Sequence, residues 1–153
     1  MSNPSHLLRR PHHLIARLFV SLDTRAPAPE DQAWAEAHLL EVERALWRRH
    51  SNVDRRHTIK VTRRFLAARP SATRAELAGA LLHDIGKLDC ELGTWGRVMA
   101  SVVGCRSERF RSYHDHERIG ADMLVAAGSE PATIELVSER GPAFSVLQQC
   151  DRA

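Results

Sequence analysis

Apolar residues in this chain recur at intervals of three and four almost throughout, and alternation long enough to make a strand is hard to find. A period near 3.6 lines apolar side chains along one stripe of a helix, whereas a period of two would line them on one face of a strand. The pattern predicts an all-α protein, a compact helical bundle. Its 153 residues fit one domain, long enough to bury roughly two-thirds of the surface its unfolded form exposes. Disulfide staples are not needed: Cys90, Cys105 and Cys150 are odd in number, widely spaced and without a C-x-x-C pair. A reducing cytoplasm and a buried-thiol role are the expectation.

Helix punctuation divides the chain. A first helix is expected over residues 11–22, followed by an extended linker at Ala26-Pro27-Ala28-Pro29. A second, longer helix should run from 30 to about 49, with an acidic start at Glu30-Asp31, a basic end at Arg48-Arg49 and an apolar stripe of Leu39, Val42, Leu46 and Trp47. Ser51-Asn52-Val53-Asp54 reads as a break and an N-cap, opening a third helix that places His57 in its first turn and stops near Arg69, before Pro70. Thr73-Arg74-Ala75-Glu76 matches the capping box and opens a helix whose last turn carries His83-Asp84. Beyond it come a short helix over 95–103, a surface loop over 106–111 and a helix over 116–127 stopped by Gly128. Pro131 and Pro142 are expected at N1 of two last helices, the second reaching Asp151.

The net charge of +3 comes almost entirely from arginine, with Lys60 and Lys87 the lysines. That suits an anionic small molecule. Aromatics make up 5% of residues, too few to offer a base-stacking platform, so nucleic acid is not the expected partner. No stretch reaches the apolar length of a membrane span. Residues 14–22 are interrupted by Arg17 and lack a clean small-residue cleavage site, so they read as an amphipathic helix rather than a signal peptide.

The chemistry concentrates in His83-Asp84-Ile85-Gly86-Lys87. An imidazole beside a carboxylate can share a divalent ion, and an ammonium three residues on can hold an anionic oxygen bound to it. The pentapeptide also reads as a plain helix end, with Gly86 as left-handed stop and Lys87 facing the dipole. His57 upstream and Asp151 downstream offer further ligand atoms at helix ends.

Four segments carry a resemblance: Asp54-Arg55-Arg56-His57-Thr58-Ile59-Lys60-Val61, Leu81-Leu82-His83-Asp84-Ile85-Gly86-Lys87, His116-Glu117-Arg118-Ile119-Gly120-Ala121 and Leu147-Gln148-Gln149-Cys150-Asp151-Arg152-Ala153. In order and spacing, residues 54–153 resemble the HD-domain superfamily, metal-dependent phosphohydrolases with the pattern H…HD…D. The resemblance implies an HD domain over 51–153 with an added helical extension over 1–50. It implies that His57, His83, Asp84 and Asp151 bind one divalent metal ion, with Mn, Fe, Co, Ni and Mg all suited to two imidazoles and two carboxylates. Asp84 would also orient the attacking water and Lys87 would neutralise phosphate charge, which makes these two the catalytic candidates. His116 resembles the H-x-x-x-G-A element that brings a further histidine to substrate or to a second ion. Where binuclear members carry a downstream histidine pair, this chain reads Leu136-Val137-Ser138-Glu139-Arg140. One ion is therefore expected, with Glu139 and Arg140 lining the pocket, and the absence of a Gly-Tyr-Pro element argues against the cyclic-dinucleotide branch.

The implied activity is hydrolysis of a phosphomonoester or phosphoanhydride of a nucleotide or related small metabolite. The competing reading is a non-catalytic module that binds a nucleotide or protein partner around a structural metal. Trp34 and Trp47 need a covering surface, supplied by their own chain or by a homodimer. His114 is a weaker site candidate, and His6, His12, His13, His38 and His50 are expected on the surface or on helix faces. Arg55-Arg56 could meet an anionic substrate or simply solvent.

Overall fold

A computed structural model describes residues 24–88 and 108–153, with side chains from 24–88 and 116–153. The helices expected over 11–22 and 95–103, together with Cys90, Cys105 and the His114 side chain, lie outside the described residues. Seven helices are described: α1 (Pro29–Ala37), α2 (Glu41–Trp47), α3 (Asn52–Ala68), α4 (Arg74–Leu81), α5 (Glu108–Ala127), α6 (Pro131–Val137) and α7 (Phe144–Arg152). Among the described residues there is no strand, and no helix is long and apolar enough to cross a membrane.

The single helix expected over 30–49 is two, broken at residues 38–40. Side chains make the break. The Glu43 carboxylate accepts the Leu40 N–H at 2.8 Å and so caps α2, while Arg44 Nε donates to the carbonyls of Glu36 and Leu39 at 2.8 and 3.2 Å. The orphan groups of both helix ends are thereby satisfied, which apolar periodicity does not report. Glu43 is fully buried and is met by Arg74 at 3.2 Å, and Arg74 also pairs with Glu130. One guanidinium thus ties α2, the start of α4 and the residue that caps α6.

The expected caps are present. Ser51 Oγ accepts the Asp54 N–H at 3.1 Å, and Thr73 and Glu76 exchange their side-chain to backbone bonds at 3.2 and 2.8 Å. Residues 75–81 of α4 are buried along their length apart from Glu76. This is possible because small residues leave room for neighbours: a Cβ on Gly79 would lie 3.0 Å from Leu136 of α6. The helix packs between α3 and α6.

Trp34 and Trp47 both pack on their own chain. Trp47 is wholly buried and its Nε1–H donates to Thr58 Oγ1 at 3.1 Å, pinning α2 to α3. Trp34 packs against the same core, with the Arg63 guanidinium 4.6 Å from its ring centre. That core joins Ala35, Leu39 and Trp47 to Ile59, Leu81, Leu82, Ile85 and Leu124. A second cluster, with Phe65, Leu77, Leu136 and Leu147, joins α3, α4, α6 and α7.

Two boundaries downstream differ from expectation. The surface loop expected over 106–111 is helical from Glu108, where α5 begins. Glu and Arg are good helix formers, and neither Gly nor Pro interrupts the run before Gly120, so the helix extends back from residue 116. Pro142 does not sit at N1: α7 begins at Phe144 with Ala143 as N-cap, and a turn closed from Phe144 N–H to the Gly141 carbonyl at 3.3 Å precedes it. Pro131 does occupy the expected place, and Gly128 ends α5 with φ 73°.

Candidate metal centre

α7 packs against α3, and that contact brings the end of the described chain to the helix that carries His57. His57 lies in the second turn of α3, one turn later than expected, and Asp151 in the last turn of α7. Their side chains meet, His57 Nε2–H donating to Asp151 Oδ1 at 2.9 Å. His83 and Asp84 are not in the last turn of α4 but in the turn just beyond it, residues 82–86. This turn directs His83 Nε2 to 3.6 Å from the same Asp151 oxygen. Ligand atoms of His57, His83 and Asp151 all lie within 4.8 Å of one another, and among the described residues no other such group occurs.

The donor set suits a divalent ion in one further respect. His83 Nδ1 lies 2.8 Å from the Ala80 carbonyl, which can only accept, so Nδ1 carries the proton. In the neutral ring the lone pair is then on Nε2, a buried atom without a hydrogen-bond partner. An orphaned, pre-oriented imidazole nitrogen facing a carboxylate is what a metal ligand requires, with a backbone carbonyl fixing its tautomer.

Electrostatics bind the group together. Burial works to lower the His83 pKa, but the carboxylates of Asp151 and Asp84 outweigh it and hold the ring above its ordinary value. Asp151 is held far below the carboxylate range, chiefly by the hydrogen bond from His57 and then by His83. Burial would raise Asp84, yet the neighbouring His83 and Lys87 leave it lowered.

Asp84 stands beside the three-atom group rather than within it. Its Oδ2 is 3.6 Å from His83 Nε2 and 2.7 Å from Lys87 Nζ. Gly86 does not adopt the left-handed stop, for it is absent from the positive-φ glycines among the described residues. Its role is proximity. A Cβ there would collide with the carbonyl of His116 and lie 3.0 Å from the Gly120 nitrogen, so α5 rests on the His-Asp turn backbone to backbone. Gly120 reciprocates: its own Cβ would lie 3.2 Å from the Gly86 nitrogen.

This close approach places His116 at a cleft of about 140 Å³ that opens from the His-Asp turn. His83, Asp84, Lys87 and Asp151 are among its lining residues, together with the apolar Leu136, Val137, Phe144 and Leu147. Glu139 lines it as expected; Arg140 is exposed and does not, and Arg152 and Gln148 do. Arg152 was legible only as the neighbour of Asp151.

His50, expected on the surface or on a helix face, is 5% exposed, and neither ring nitrogen has a hydrogen-bond partner. Burial lowers its pKa to about 4, with Asp54 and Asp84 opposing and His83 and Lys87 adding to the shift. Its position beside the buried Trp47, at the break before the Ser51 cap, was the signal that could have placed it inside. Cys150 is a buried free thiol whose pKa burial raises, in keeping with a small apolar role.

No protein-family model, curated protein or solved structure matches the chain.

Proposed function

We propose that this protein is a metal-dependent phosphohydrolase of the HD-domain type, acting on a phosphomonoester or phosphoanhydride of a nucleotide or related small metabolite. The supporting observation is the convergence of His57, His83 and Asp151 ligand atoms within 4.8 Å, from α3, the turn after α4 and α7, beside Asp84 and Lys87. Held by His57, His83 and Asp151, a single divalent ion, for which Mn, Fe, Co, Ni and Mg are all chemically suited, would supply Lewis acidity toward a phosphoryl oxygen and lower the pKa of water.

The residues divide the remaining work. His83 offers a lone pair held in place by Ala80, and His57 and Asp151 complete the corner once the proton between them is released. Asp84, low in pKa, accepts a hydrogen bond from water and orients it. Lys87, tethered to Asp84 and largely exposed, can swing to a phosphate oxygen. His116 lines the same cleft, where it can donate to a second phosphate oxygen. The apolar lining residues Leu136, Val137, Phe144 and Leu147 can pack against the organic part of a substrate.

The test is bound-metal analysis of the purified protein together with a phosphatase and phosphodiesterase screen, using Asp84→Ala as control. Stoichiometric divalent metal and a hydrolysis that Asp84→Ala abolishes are expected. Absent metal, or activity that survives the substitution, rejects the proposal. The tether between Asp84 and Lys87 favours one other reading, a metal-bearing module that binds phosphorylated ligands without turnover; bound metal and nucleotide with no hydrolysis would identify it.

A further inference from the structure

Two helix ends in this protein are built alike and closed by different residues. At the end of α5, Gly128 N–H bonds to the Val125 carbonyl at 3.1 Å and Ser129 N–H to the Leu124 carbonyl at 3.0 Å. At the end of α6, Glu139 N–H bonds to the Leu136 carbonyl at 3.1 Å and Arg140 N–H to the Glu135 carbonyl at 3.0 Å. Both residues take positive φ, 73° for Gly128 and 56° for Glu139, and Glu139 is the one non-glycine residue to do so among the described residues. The left-handed position of this motif is ordinarily glycine, because a Cβ there crowds the following carbonyl. Gly128 faces open space, with nothing within 4 Å of a would-be Cβ. Glu139 lines the cleft.

A strained backbone is retained where its side chain serves the site it borders. A carboxylate gives a phosphate group nothing but repulsion. Lys87, His116 and Arg152 already supply the cationic and donor groups at this cleft that phosphate needs. What a carboxylate can add is acceptance, and it has acceptor sites enough to keep an internal partner and take another.

We propose that Glu139 is the specificity-determining residue of the cleft, its carboxylate accepting a hydrogen bond from a hydroxyl or ammonium group on the organic part of a phosphorylated substrate. This rests on the reading of the cleft as a phosphate site. Substrates whose organic part lacks a donor are then bound by phosphate contacts alone.

Three non-hydrolysable probes separate the terms: propylphosphonate, 3-hydroxypropylphosphonate and 3-aminopropylphosphonate, titrated calorimetrically into metal-loaded wild type, Glu139→Gly and Glu139→Gln. In wild type, at least one donor-bearing probe should bind about tenfold or more tighter than propylphosphonate, as a hydrogen bond to a charged group allows. Which one does so distinguishes a hydroxyl from an ammonium substrate. Glu139→Gly should erase that advantage without weakening propylphosphonate binding, which loses a repulsive neighbour, and should raise Tm by about 2–4 °C through relief of the left-handed strain. Glu139→Gln keeps an acceptor but loses the charge, so an ammonium advantage should shrink more than a hydroxyl one. If propylphosphonate binds and the other two bind no tighter, or if Glu139→Gly keeps their advantage, the assignment of Glu139 is overturned while the phosphate site stands. If Glu139→Gly lowers Tm, the strain argument is overturned. Failure of propylphosphonate itself to bind overturns the phosphate-site reading, and the assignment falls with it.

Discussion

His57 and Asp151, 94 positions apart in the chain, stand 2.9 Å apart in the fold, and His83 faces the same carboxylate oxygen from 3.6 Å. The cluster therefore has its own pH signature. The His83 pKa is raised above 6.5, so its contribution to stability is present below that value and is lost as pH rises through the folded-state pKa. Asp151 is depressed below 3.8, so its contribution is present above that value and is lost as pH falls towards the folded-state pKa. In chelator, the Tm gap between wild type and Asp151→Asn should be widest between pH 3.8 and 6.5 and should narrow above neutrality. Adding a divalent metal at pH 8 should raise the Tm of wild type alone, because binding needs deprotonated imidazoles and the missing carboxylate. Circular dichroism melts check both.

His50 has the opposite sign. Its pKa falls from 6.5 to about 4 on burial, so the unfolded chain binds the extra proton in that window and stability declines as pH drops from 6.5 towards 4. Full expression of such a shift is worth roughly 3 kcal/mol. A His50→Leu variant, similar in size and unable to ionise, should be more stable than wild type near pH 4.5, with the advantage shrinking by pH 8. Urea titrations at the two pH values measure it.

Gly86→Ala should cost about 2 kcal/mol or more, since its methyl must displace the His116 backbone rather than a flexible side chain. The loss should extend to function, because α5 and the His-Asp turn would move apart. A lowered urea midpoint with weakened phosphonate binding is the expected result; an unchanged midpoint would show that the two backbones do not touch in solution.

Arg74→Met should destabilise by about 3 kcal/mol by leaving the fully buried Glu43 carboxylate without its counter-charge. Adding Glu43→Gln should recover part of that loss, as the amide oxygen can still accept the Leu40 N–H. A double-mutant cycle in urea separates the two terms.

Local chemistry was easy to read. The Ser51 and Thr73 caps, Pro131 at N1 and the Gly128 stop are set within four residues of sequence, and each stands where the pattern puts it. The break at residues 38–40 escaped because Glu43 and Arg44 make it with side-chain bonds across the gap while leaving the apolar stripe intact. The helix at Glu108 escaped because a run of polar residues without an apolar period reads in sequence like a loop. Among the site residues, His57, His83 and Asp151 do meet, whereas Asp84 turns to Lys87 and Arg140 turns away from the cleft. Those two differences are matters of rotamer and turn geometry. His50 escaped because burial of a lone histidine depends on the turn after Trp47, not on its own neighbours in sequence.

On the proposed metal reading, the bond from His83 Nδ1 to the Ala80 carbonyl bears on how quickly the site would fill. A ring free to rotate must find both the right face and the right proton position each time an ion arrives. Here both are settled in advance, so on that reading capture would ask for little reorganisation beyond loss of the protons that the carboxylates favour on His83 and between His57 and Asp151. Loading should therefore speed up with pH, with proton release as the gate and imidazole rotation no part of it.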